Sequence, residues 1–468
     1  MIDADIVIIG GGPAGMAAAV KAAQHNFKVI LMEEMSSLGG KVLRNEAHEN
    51  SKSPANPIEV KTRQKLFQAI EENKEKIKIL TNTEVWSVTD QKVVQFHCKS
   101  QGAFKTGTVR GKKLIVAVGA TDKIIPFSGW HLPGVFTIGG LNTFVQRGIV
   151  PGKNILVAGT GPLQIALAYH LVNAGARVKA IADVSTFKET FHSALGILRN
   201  GGLGKLMLGL RYLFKIKGSK IPTHYSYIVK KAIGTDRVEG AEIVKVDKSW
   251  RPIPGTEKTI GVDTIATGFN LAPQTEITRM AGCNHTYNDQ FGYWMVDRNE
   301  KMETSVDGIF VAGDGADIKG YDAAIDEGRT AAIAACEQLG AKPLNNMASL
   351  QKKMKNHRGI GSEMSSAAKI RPGIFEVLTD DTIICRCEEI RYKDIKSAVK
   401  QGARDVNDIK RRTRLGMGHC QGRFCGQVVN ELIRQVSGEQ VERKTLTVRP
   451  PLKPVPLKAI VGMDDQLK

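Results

Sequence analysis

The sequence predicts an α/β protein in which two doubly wound domains with parallel sheets precede a small helical domain. Two strand–turn–helix–strand units lie in the 468-residue chain, over 5–32 and 154–181, and each turn is rich in glycine. Such βαβ units build doubly wound domains. Four of the seven cysteines crowd into the last fifth of the chain, which indicates a separate metal-binding domain rather than a disulfide framework.

Length and composition limit the classes to which the protein can belong. Apolar residues make up 42% of the chain, enough for the cores of two or three domains. No apolar run approaches the roughly 20 residues of a membrane span, and no signal-peptide pattern precedes the first strand. We therefore expect a cytoplasmic protein without a transmembrane segment. The formal charge of +19 is spread along the chain, so we expect no nucleic acid partner.

The first unit has the pattern of a dinucleotide site. Gly10 permits a tight turn, Gly12 lets the backbone approach a pyrophosphate, and Gly15 lets the helix meet the strand. Glu33 ends the next strand, where a carboxylate can accept hydrogen bonds from ribose hydroxyls. The predicted contacts in the turn are Gly10, Gly12, Pro13, Ala14 and Gly15.

The second unit repeats this plan with one substitution. Gly159 and Gly161 follow its first strand, but Gln164 replaces the third glycine and should hinder close packing of helix and strand. Asp183 ends the next strand and is placed to bind a ribose, as NAD(P)H requires. Either this domain accepts a nucleotide in an altered way, or it keeps the fold as a scaffold, which we favour.

A third segment indicates which dinucleotide the first unit binds. Residues 304–314 form an apolar strand that ends in a glycine–aspartate pair, and this arrangement resembles two-domain flavoprotein reductases. The resemblance implies FAD, with Asp314 on the ribityl chain and the helix over about 322–336 directed at the isoalloxazine, where its dipole favours reduced flavin. The alternative is that Asp314 only caps this helix. Further contacts implied by the resemblance are Glu34, Gly40, Gly119 and Gly313.

The clustered cysteines form two short motifs, Cys385-Arg-Cys387 and Cys420-Gln-Gly-Arg-Phe-Cys425. Four thiolates can hold zinc or an iron-sulfur cluster, but structural zinc sites use longer knuckles than C-x-C. The pattern resembles the [2Fe-2S] domain of bacterioferritin-associated ferredoxins, which implies that all four cysteines bind such a cluster. The flanking basic residues either favour the reduced cluster or form a solvated face; they are Arg386, Lys410, Arg411, Arg412, Arg414 and Arg423.

These assignments divide the chain into several parts. They are 1–122 with 261–345 for a discontinuous FAD-binding domain, 123–260 for the second nucleotide-type domain, 346–378 for a connecting arm, 379–440 for the [2Fe-2S] domain and 441–468 for a proline-rich tail. The tail should be extended and lie on another surface.

Between Lys188 and Lys231 basic and apolar residues alternate at helical spacing. We expect helices packed on their own domain with a solvated basic face, rather than helices on a membrane surface.

The order of these motifs resembles the alpha-type subunits of heteromeric amine and amino-acid dehydrogenases, which include octopine and nopaline oxidase, hydroxyproline and dye-linked proline dehydrogenase, and hydrogen cyanide synthase. Segments 126–134 and 250–255 and the tail share in the resemblance, whereas Lys41 stands where relatives often have glutamine. The resemblance implies an FAD-dependent oxidoreductase. Its substrate would be oxidised on a flavin in a partner beta subunit, and this chain would relay electrons to an acceptor that the sequence does not identify.

Other functions stay open at this point. A self-sufficient NAD(P)H-dependent flavin reductase is the main alternative, and a nucleotide-sensing or nucleic-acid-binding scaffold is the third. The absence of any C-x-x-C motif excludes a disulfide reductase. The resemblance also leaves room for a second nucleotide, NAD(P) or ATP, or for an FMN at the subunit interface. We assign no catalytic residue, because no convergent acid, base and specificity set for an amine is apparent.

Overall fold

The computed structural model describes residues 2–43, 57–100, 103–342 and 347–461. The strands in chain order are β1 Ile2–Ile9, β2 Val29–Met32, β3 Ile77–Leu80, β4 Thr83–Val88, β5 Val93–Ser100, β6 Ala103–Val116, β7 Ala120–Asp122, β8 Val135–Thr137, β9 Asn154–Thr160, β10 Arg177–Asp183, β11 Thr223–Tyr225, β12 Tyr227–Ile233, β13 Gly240–Lys245, β14 Lys258–Ile260, β15 Thr264–Phe269, β16 Leu271–Pro273, β17 His285–Asn288, β18 Tyr293–Val296, β19 Ile309–Val311, β20 Ile383–Cys385 and β21 Ile390–Arg391. The helices are α1 Pro13–Gln24, α2 Pro57–Glu72, α3 Ile138–Gln146, α4 Pro162–Asn173, α5 Phe187–Arg199, α6 Leu203–Gly218, α7 Glu276–Met280, α8 Tyr321–Gln338, α9 Met347–Ser365, α10 Tyr392–Lys400, α11 Val406–Thr413, α12 Val429–Ser437 and α13 Leu457–Val461.

The first sheet has the strand order β3-β2-β1-β6-β5-β4, and β19 pairs with the end of β6. The strands β3, β2, β1, the end of β6 and β19 run parallel. Apolar side chains such as Ile8 of β1, Leu31 of β2 and Ile115 of β6 are fully buried because helices cover such sheets. The helices α1 and α8 pack so closely that a Cβ on Gly328 would lie 2.1 Å from the carbonyl oxygen of Ala14. The carboxyl ends of these strands therefore meet at one edge.

The second sheet is parallel throughout, with the order β11-β10-β9-β15-β8. Strand β15 pairs with β9 and β8, so the second unit extends beyond the predicted boundary at residue 260. In the chain, the antiparallel sheet β12–β14 lies between β15 and the earlier strands of the second sheet. The composition of an apolar strand does not show which sheet the strand joins, so the sequence did not predict this pairing. The two crossings between the units lie side by side as the antiparallel pair β7–β16.

The small C-terminal domain is built from β20, β21 and α10 to α12, and its core is continuous with that of the second unit. Buried Ile384, Ile395 and Leu432 belong to the same apolar cluster as Phe127 and Trp130. The indole Nε1 of Trp130 donates to the carbonyl oxygen of Ile383 at 2.5 Å. Segment 126–134 is thus the surface on which the C-terminal domain packs.

The predicted connecting arm contains helix α9, which packs against α8 and α5. Its His357 bonds to buried Asp326 at 2.7 Å, and its Arg358 bonds to buried Glu327 at the same distance. Helix α9 therefore packs on both units and is bonded to the first. The predicted start of the arm at residue 346 lies outside the described residues.

The proline-rich tail lies on the chain's own first unit. The Leu452 side chain is buried, and its amide donates to the carbonyl oxygen of Trp86 at 2.9 Å. Lys453 pairs with Glu34 and with Glu84. Over its described residues the tail is a strap that joins the C-terminal domain to the first unit.

The predicted basic helices form as α5 and α6, which pack on the chain's own helices and carry exposed basic side chains, but apolar side chains of both helices are exposed as well. Phe187 and Phe214 are 69% and 71% exposed. On α5 a glycine faces the protein, because α9 approaches so closely that a Cβ on Gly196 would lie 2.3 Å from the Glu363 side chain. Within the described ranges, no helix has both the length and the apolar character needed to cross a membrane.

Candidate functional site

The first glycine-rich turn joins β1 to α1 at the carboxyl edge of the first sheet. Gly10 has φ +104°, and a Cβ there would lie 2.3 Å from the carbonyl oxygen of Ala117. A Cβ on Gly15 would lie 1.8 Å from the carbonyl oxygen of Gly10. Both positions therefore exclude any side chain, and α1 begins directly at the turn.

Two consecutive acids follow β2 and have different roles. Both oxygens of Glu33 accept backbone N–H groups, from Gly11 at 2.7 Å and from Met35 at 2.9 Å. The buried Glu33 carboxylate is thereby fixed beside the turn. Burial would raise the pKa of Glu34, but the ammonium group of Lys453 in the tail outweighs it and lowers that pKa. The geometry therefore favours Glu33 as the ribose acceptor and gives Glu34 a role in holding the tail.

Three further predicted glycines surround the same edge. Gly40 has φ +59°, and a Cβ there would lie 2.9 Å from the Cα of Gly12. A Cβ on Gly12 would meet nothing closer than 3.8 Å, and one on Gly119 would have no neighbour within 4 Å among the described residues. Gly313 lies against Ala14 of α1, 3.1 Å from a Cβ built at that position. This open, side-chain-free backbone beside the N-terminus of α1 fits a pyrophosphate.

Asp314 lies at the end of β19 and holds the entry to helix α8. Its Oδ1 accepts the backbone N–H groups of Lys319 and Gly320, both at 2.9 Å. Burial raises the pKa of Asp314 despite these two donors. Both donors bind one oxygen, which leaves Oδ2 as the acceptor for a ligand hydroxyl. The capping role and a role toward a ribityl hydroxyl are therefore compatible.

A buried ion network that no sequence pattern indicated supports this loop. Glu327 of α8 accepts from Arg298 at 2.8 and 3.0 Å and from Arg358 at 2.7 Å. Its Oε2 also accepts the N–H of Gly313 at 2.7 Å. Burial alone would raise the pKa of Glu327, but the two guanidinium groups lower it. No local motif joins these residues in sequence, so only the fold reveals the network.

The second glycine-rich turn is closed by the residue that departs from the pattern. Gln164 is fully buried, and its Nε2 donates to the carbonyl oxygen of Ala182 on β10 at 2.9 Å. The buried Asp183 carboxylate accepts both the N–H and the hydroxyl of Ser185, at 2.9 and 2.7 Å. Gly161 remains open, with no described neighbour within 4 Å of a Cβ. The turn keeps its shape, and both bonds from Ser185 reach Oδ1 of its acid.

The four predicted cluster ligands lie near one another in the C-terminal domain, with Cys385 beside Cys425 and Cys387 beside Cys420. The neighbouring Cys425 thiol lowers the pKa of Cys385 to about 6, and Cys385 in turn raises the pKa of Cys425. In the part of the chain that the structure describes, no three His, Cys, Asp or Glu side chains are grouped to hold a metal ion. Four neighbouring thiols match the number that a two-iron cluster takes, two thiolates on each iron.

Glycines and one leucine shape the loop between the ligands. A Cβ on Gly418 would lie 2.2 Å from the Cβ of Cys387, and one on Gly422 would lie 2.2 Å from the Cδ1 of Leu446. Leu446 belongs to the tail and is buried. The strap therefore closes over the ligand loop.

The basic residues around the ligands are unequal. Arg386, Arg411, Arg412 and Arg414 are exposed. Arg414 pairs with Glu388 and Arg411 pairs with Asp408, so solvent and acids screen their charges. Lys410 and Arg423 are less exposed, and they remain the better candidates for stabilising a reduced cluster.

The ligand loop also touches the first unit. Arg423 lies between the ligands Cys420 and Cys425, and its Nε is 3.8 Å from Glu276 of α7. Arg279, on the same short helix, donates to the carbonyl oxygen of Leu446 at 2.8 Å. The cluster domain is therefore held against the first unit on this side and against the second unit through the shared core.

Two lysines near the crossing between the units donate to backbone carbonyl groups. Lys41 donates to the carbonyl oxygen of Ala120 on β7 at 2.6 Å. Lys123, just after β7, is buried and donates to the carbonyl oxygens of Phe291 and Gly292 at 2.6 and 2.5 Å. Burial lowers the pKa of Lys123 to about 7. No sequence pattern singles out Lys123, because its burial depends on the packing of separate segments.

The chain matches two known protein families. Residues 4–201 match the family described as pyridine nucleotide-disulphide oxidoreductase, which covers the first glycine-rich turn and part of the second unit. Residues 383–435 match the BFD-like [2Fe-2S] binding domain, which contains all four cysteines of the two pairs.

Individual relatives extend over nearly the whole chain. Hydrogen cyanide synthase subunit HcnB of Pseudomonas protegens is 31% identical, with 98% of each chain covered. An opine oxidase subunit of Rhizobium meliloti is 30% identical over 98% of this chain and 87% of its own. The crystal structure of L-proline dehydrogenase from P. horikoshii has a TM-score of 0.67 and 20% identity, over 97% of this chain and 78% of that one. This last likeness supports the fold.

Proposed function

The chain belongs to the family of flavin-dependent dehydrogenase subunits that includes hydrogen cyanide synthase subunit HcnB and a subunit of opine oxidase, and we propose that it is the electron-transfer subunit of a heteromeric amine or amino-acid dehydrogenase. It is an FAD-dependent oxidoreductase with a [2Fe-2S] domain. The proposed substrate is of the proline, hydroxyproline or opine type, oxidised on a partner flavoprotein subunit.

One observation supports this proposal most directly: the loop between Cys420 and Cys425 is fixed against the first unit. The Arg423–Glu276 pair and the bond from Arg279 to Leu446 hold it there. Electron transfer depends on a constant separation of the two centres, and a docked cluster domain supplies that separation without a moving part.

The chain's own residues have defined tasks in such a relay. When bound, FAD and the cluster supply the electron-carrying chemistry. Glu33 orients a ribose, Asp314 and the open glycines receive the ribityl and pyrophosphate groups, and the Glu327 network fixes the loop that carries Asp314. Lys410 and Arg423 offset the charge of the thiolate-ligated cluster.

The relatives support a partner subunit, because their names describe them as subunits of hydrogen cyanide synthase and opine oxidase. The tail is a less direct argument for a partner, because its described residues are already bound to this chain. We therefore place the proposed interface elsewhere than on the tail.

The proposal is tested by turnover. The purified chain should not oxidise proline, hydroxyproline or an opine with an artificial electron acceptor, and should do so once the co-expressed partner is added. Turnover by the single chain, at a rate unchanged by the partner, would place the active site in this chain and contradict the proposal.

One observation favours the alternative of a self-sufficient NAD(P)H reductase: the open Gly161 at the N-terminus of α4 could admit a phosphate. Two observations oppose this alternative: the Gln164 side chain occupies the space between helix and strand, and the Asp183 carboxylate accepts a hydrogen bond from Ser185. We expect NADH and NADPH to reduce the flavin slowly or not at all in anaerobic mixing. Rapid bleaching of the flavin band would favour the alternative.

A further inference from the structure

Helices α5 and α6 present two adjacent apolar stripes to solvent. Phe187, Phe191, Leu195 and Leu198 recur along α5 at intervals of three or four residues, which places them on one face. On α6 the same spacing relates Leu203, Met207, Leu210 and Phe214. Every one of these side chains is exposed, Met207 by 59% and Leu203 by 58%. Soluble proteins rarely expose contiguous apolar surface of this kind without a binding role.

The opposite faces of the same helices pack on the protein. On α5, Ser193 bonds to Ser366, and Gly196 lies against α9. On α6, the ring of Tyr212 stacks on Tyr169 of α4 with 4.1 Å between centroids, and Ile216 is buried. The helices are therefore fixed in place mainly by their inner faces, although Phe187 of the outer stripe also meets the Tyr225 ring edge-on.

The charge around the stripes is almost entirely positive. Residues 187–220 contain Lys188, Arg199, Lys205, Arg211, Lys215, Lys217 and Lys220, but Glu189 as their single acid. Glu189 caps α5 and pairs with Arg371, and Lys205 pairs with Asp322. The remaining basic side chains border the apolar stripes in sequence and are exposed.

We propose that α5 and α6 form an interfacial hairpin by which the protein rests on an anionic lipid bilayer. An apolar helix face with Phe and Leu, bordered by Lys and Arg, is the pattern of helices that lie in the plane of a membrane interface. With 13 and 16 residues, both helices are shorter than the roughly 20 residues of a span. Protein interfaces, in contrast, are depleted of lysine, which makes a protein partner the less fitting occupant.

The hairpin would also set the orientation of the first unit. Lys205 pairs with Asp322 at 2.8 Å and lies 4.1 Å over the ring of Tyr321. Both partners are in the first turn of α8, the helix that follows Asp314. Docking would thus place the N-terminus of α8 near the bilayer. This membrane contact is independent of the proposed electron-transfer function.

Co-sedimentation of the full-length, FAD-loaded chain with vesicles tests the inference. One set of vesicles is phosphatidylcholine alone, and the other contains about one third phosphatidylglycerol to supply negative surface charge. Phe187→Ser with Phe214→Ser removes apolar contacts, and Arg211→Gln with Lys215→Gln removes charge. The matched controls are Ile149→Ser, whose side chain is 51% exposed outside the hairpin, and Lys78→Gln on β3. Flavin absorbance verifies that each variant is folded.

We expect the chain to bind the anionic vesicles and to bind neutral vesicles much more weakly. Each hairpin double variant should weaken binding by about tenfold or more, and the controls should bind like the parent chain. Failure of the parent chain to bind anionic vesicles would overturn the inference. Equal binding to neutral and anionic vesicles would also overturn it. Hairpin variants that bind lipid normally but no longer bind a partner subunit would overturn it too, and would show that the stripes contact that subunit.

Discussion

The two glycine-rich turns of this chain share one backbone plan but close the contact between helix and strand in different ways. In the first turn, Gly15 leaves no room for a side chain beside the carbonyl oxygen of Gly10. In the second, Gln164 fills the corresponding space and bonds to Ala182 on the neighbouring strand. The Gln164 side chain thus joins helix and strand in the second turn, whereas direct backbone contact joins them in the first. We propose that the first unit is a cofactor site and that the second is a scaffold.

The acids that follow the two turns also differ in the groups of the protein to which they bond. Glu33 bonds to Gly11 within the turn as well as to Met35, two residues further along. Asp183 bonds to Ser185, two residues further along its own strand end. Burial raises the pKa of Asp183, and the two groups of Ser185 oppose that rise. The first acid is thus bonded to its glycine-rich turn, and the second is bonded to the segment that follows its strand.

Exchanging the third residue of the turns should give the largest effect. Gly15→Gln should abolish FAD binding, because a Cβ there would lie 1.8 Å from the carbonyl oxygen of Gly10. Gln164→Gly should leave the bound flavin in place and lower the free energy of unfolding, because the buried side chain and its hydrogen bond are lost. Flavin absorbance after gel filtration measures the first outcome, and thermal unfolding measures the second. Flavin retained by Gly15→Gln would contradict the assigned difference.

Neutralising the two acids should affect FAD binding less than the glycine exchange does, and again only the change in the first unit should weaken it. Glu33→Gln should weaken FAD binding by about tenfold to a hundredfold, because a hydrogen bond to a charged group contributes roughly 1.5–3 kcal/mol. Asp183→Asn should leave the FAD dissociation constant unchanged. Fluorescence titration of the apoprotein with FAD gives both constants. Equal weakening by the two variants would mean that the acids do not differ in role.

The smallest expected effect concerns the crossing between the two units. The pKa of Lys123 is lowered by burial to about 7, from 10.5. Between these pH values the unfolded chain binds more protons than the folded chain, so this lysine makes stability rise with pH across that window. The unfolding midpoint of the parent chain should therefore rise relative to Lys123→Met as the pH increases from 7 to about 9. The exposed Lys78→Met is the control, and a constant difference between the parent and Lys123→Met would contradict the expectation.

Much of the candidate site could be predicted because its residues form local patterns. The glycines of both turns, the acid after each second strand, the glycine–aspartate pair at 313–314 and the spacing of the cysteines all lie within short segments. Backbone geometry requires these residue types wherever the fold occurs. The fold class could therefore be predicted from these patterns, whereas FAD and the [2Fe-2S] domain were implied by their resemblance to known families.

The remaining features depend on contacts between distant segments. Arg298, Glu327 and Arg358 form their network from separate parts of the chain. The membership of β15 in the second sheet and the burial of Leu446 over the ligand loop depend on packing that no local pattern encodes. The exposure of the apolar stripes of α5 and α6 could not be predicted either, because helical periodicity gives an apolar face but does not give its direction.

The central claim is that electrons from substrate reach the cluster of this chain only through a partner subunit. Freeze-quenched samples examined by electron paramagnetic resonance test it directly, with dithionite establishing the signal of the reduced cluster. We predict that substrate produces this signal in the complex and not in the isolated chain, and that Cys387→Ser removes the signal while the flavin remains. A reduced-cluster signal from substrate in the isolated chain would contradict this claim.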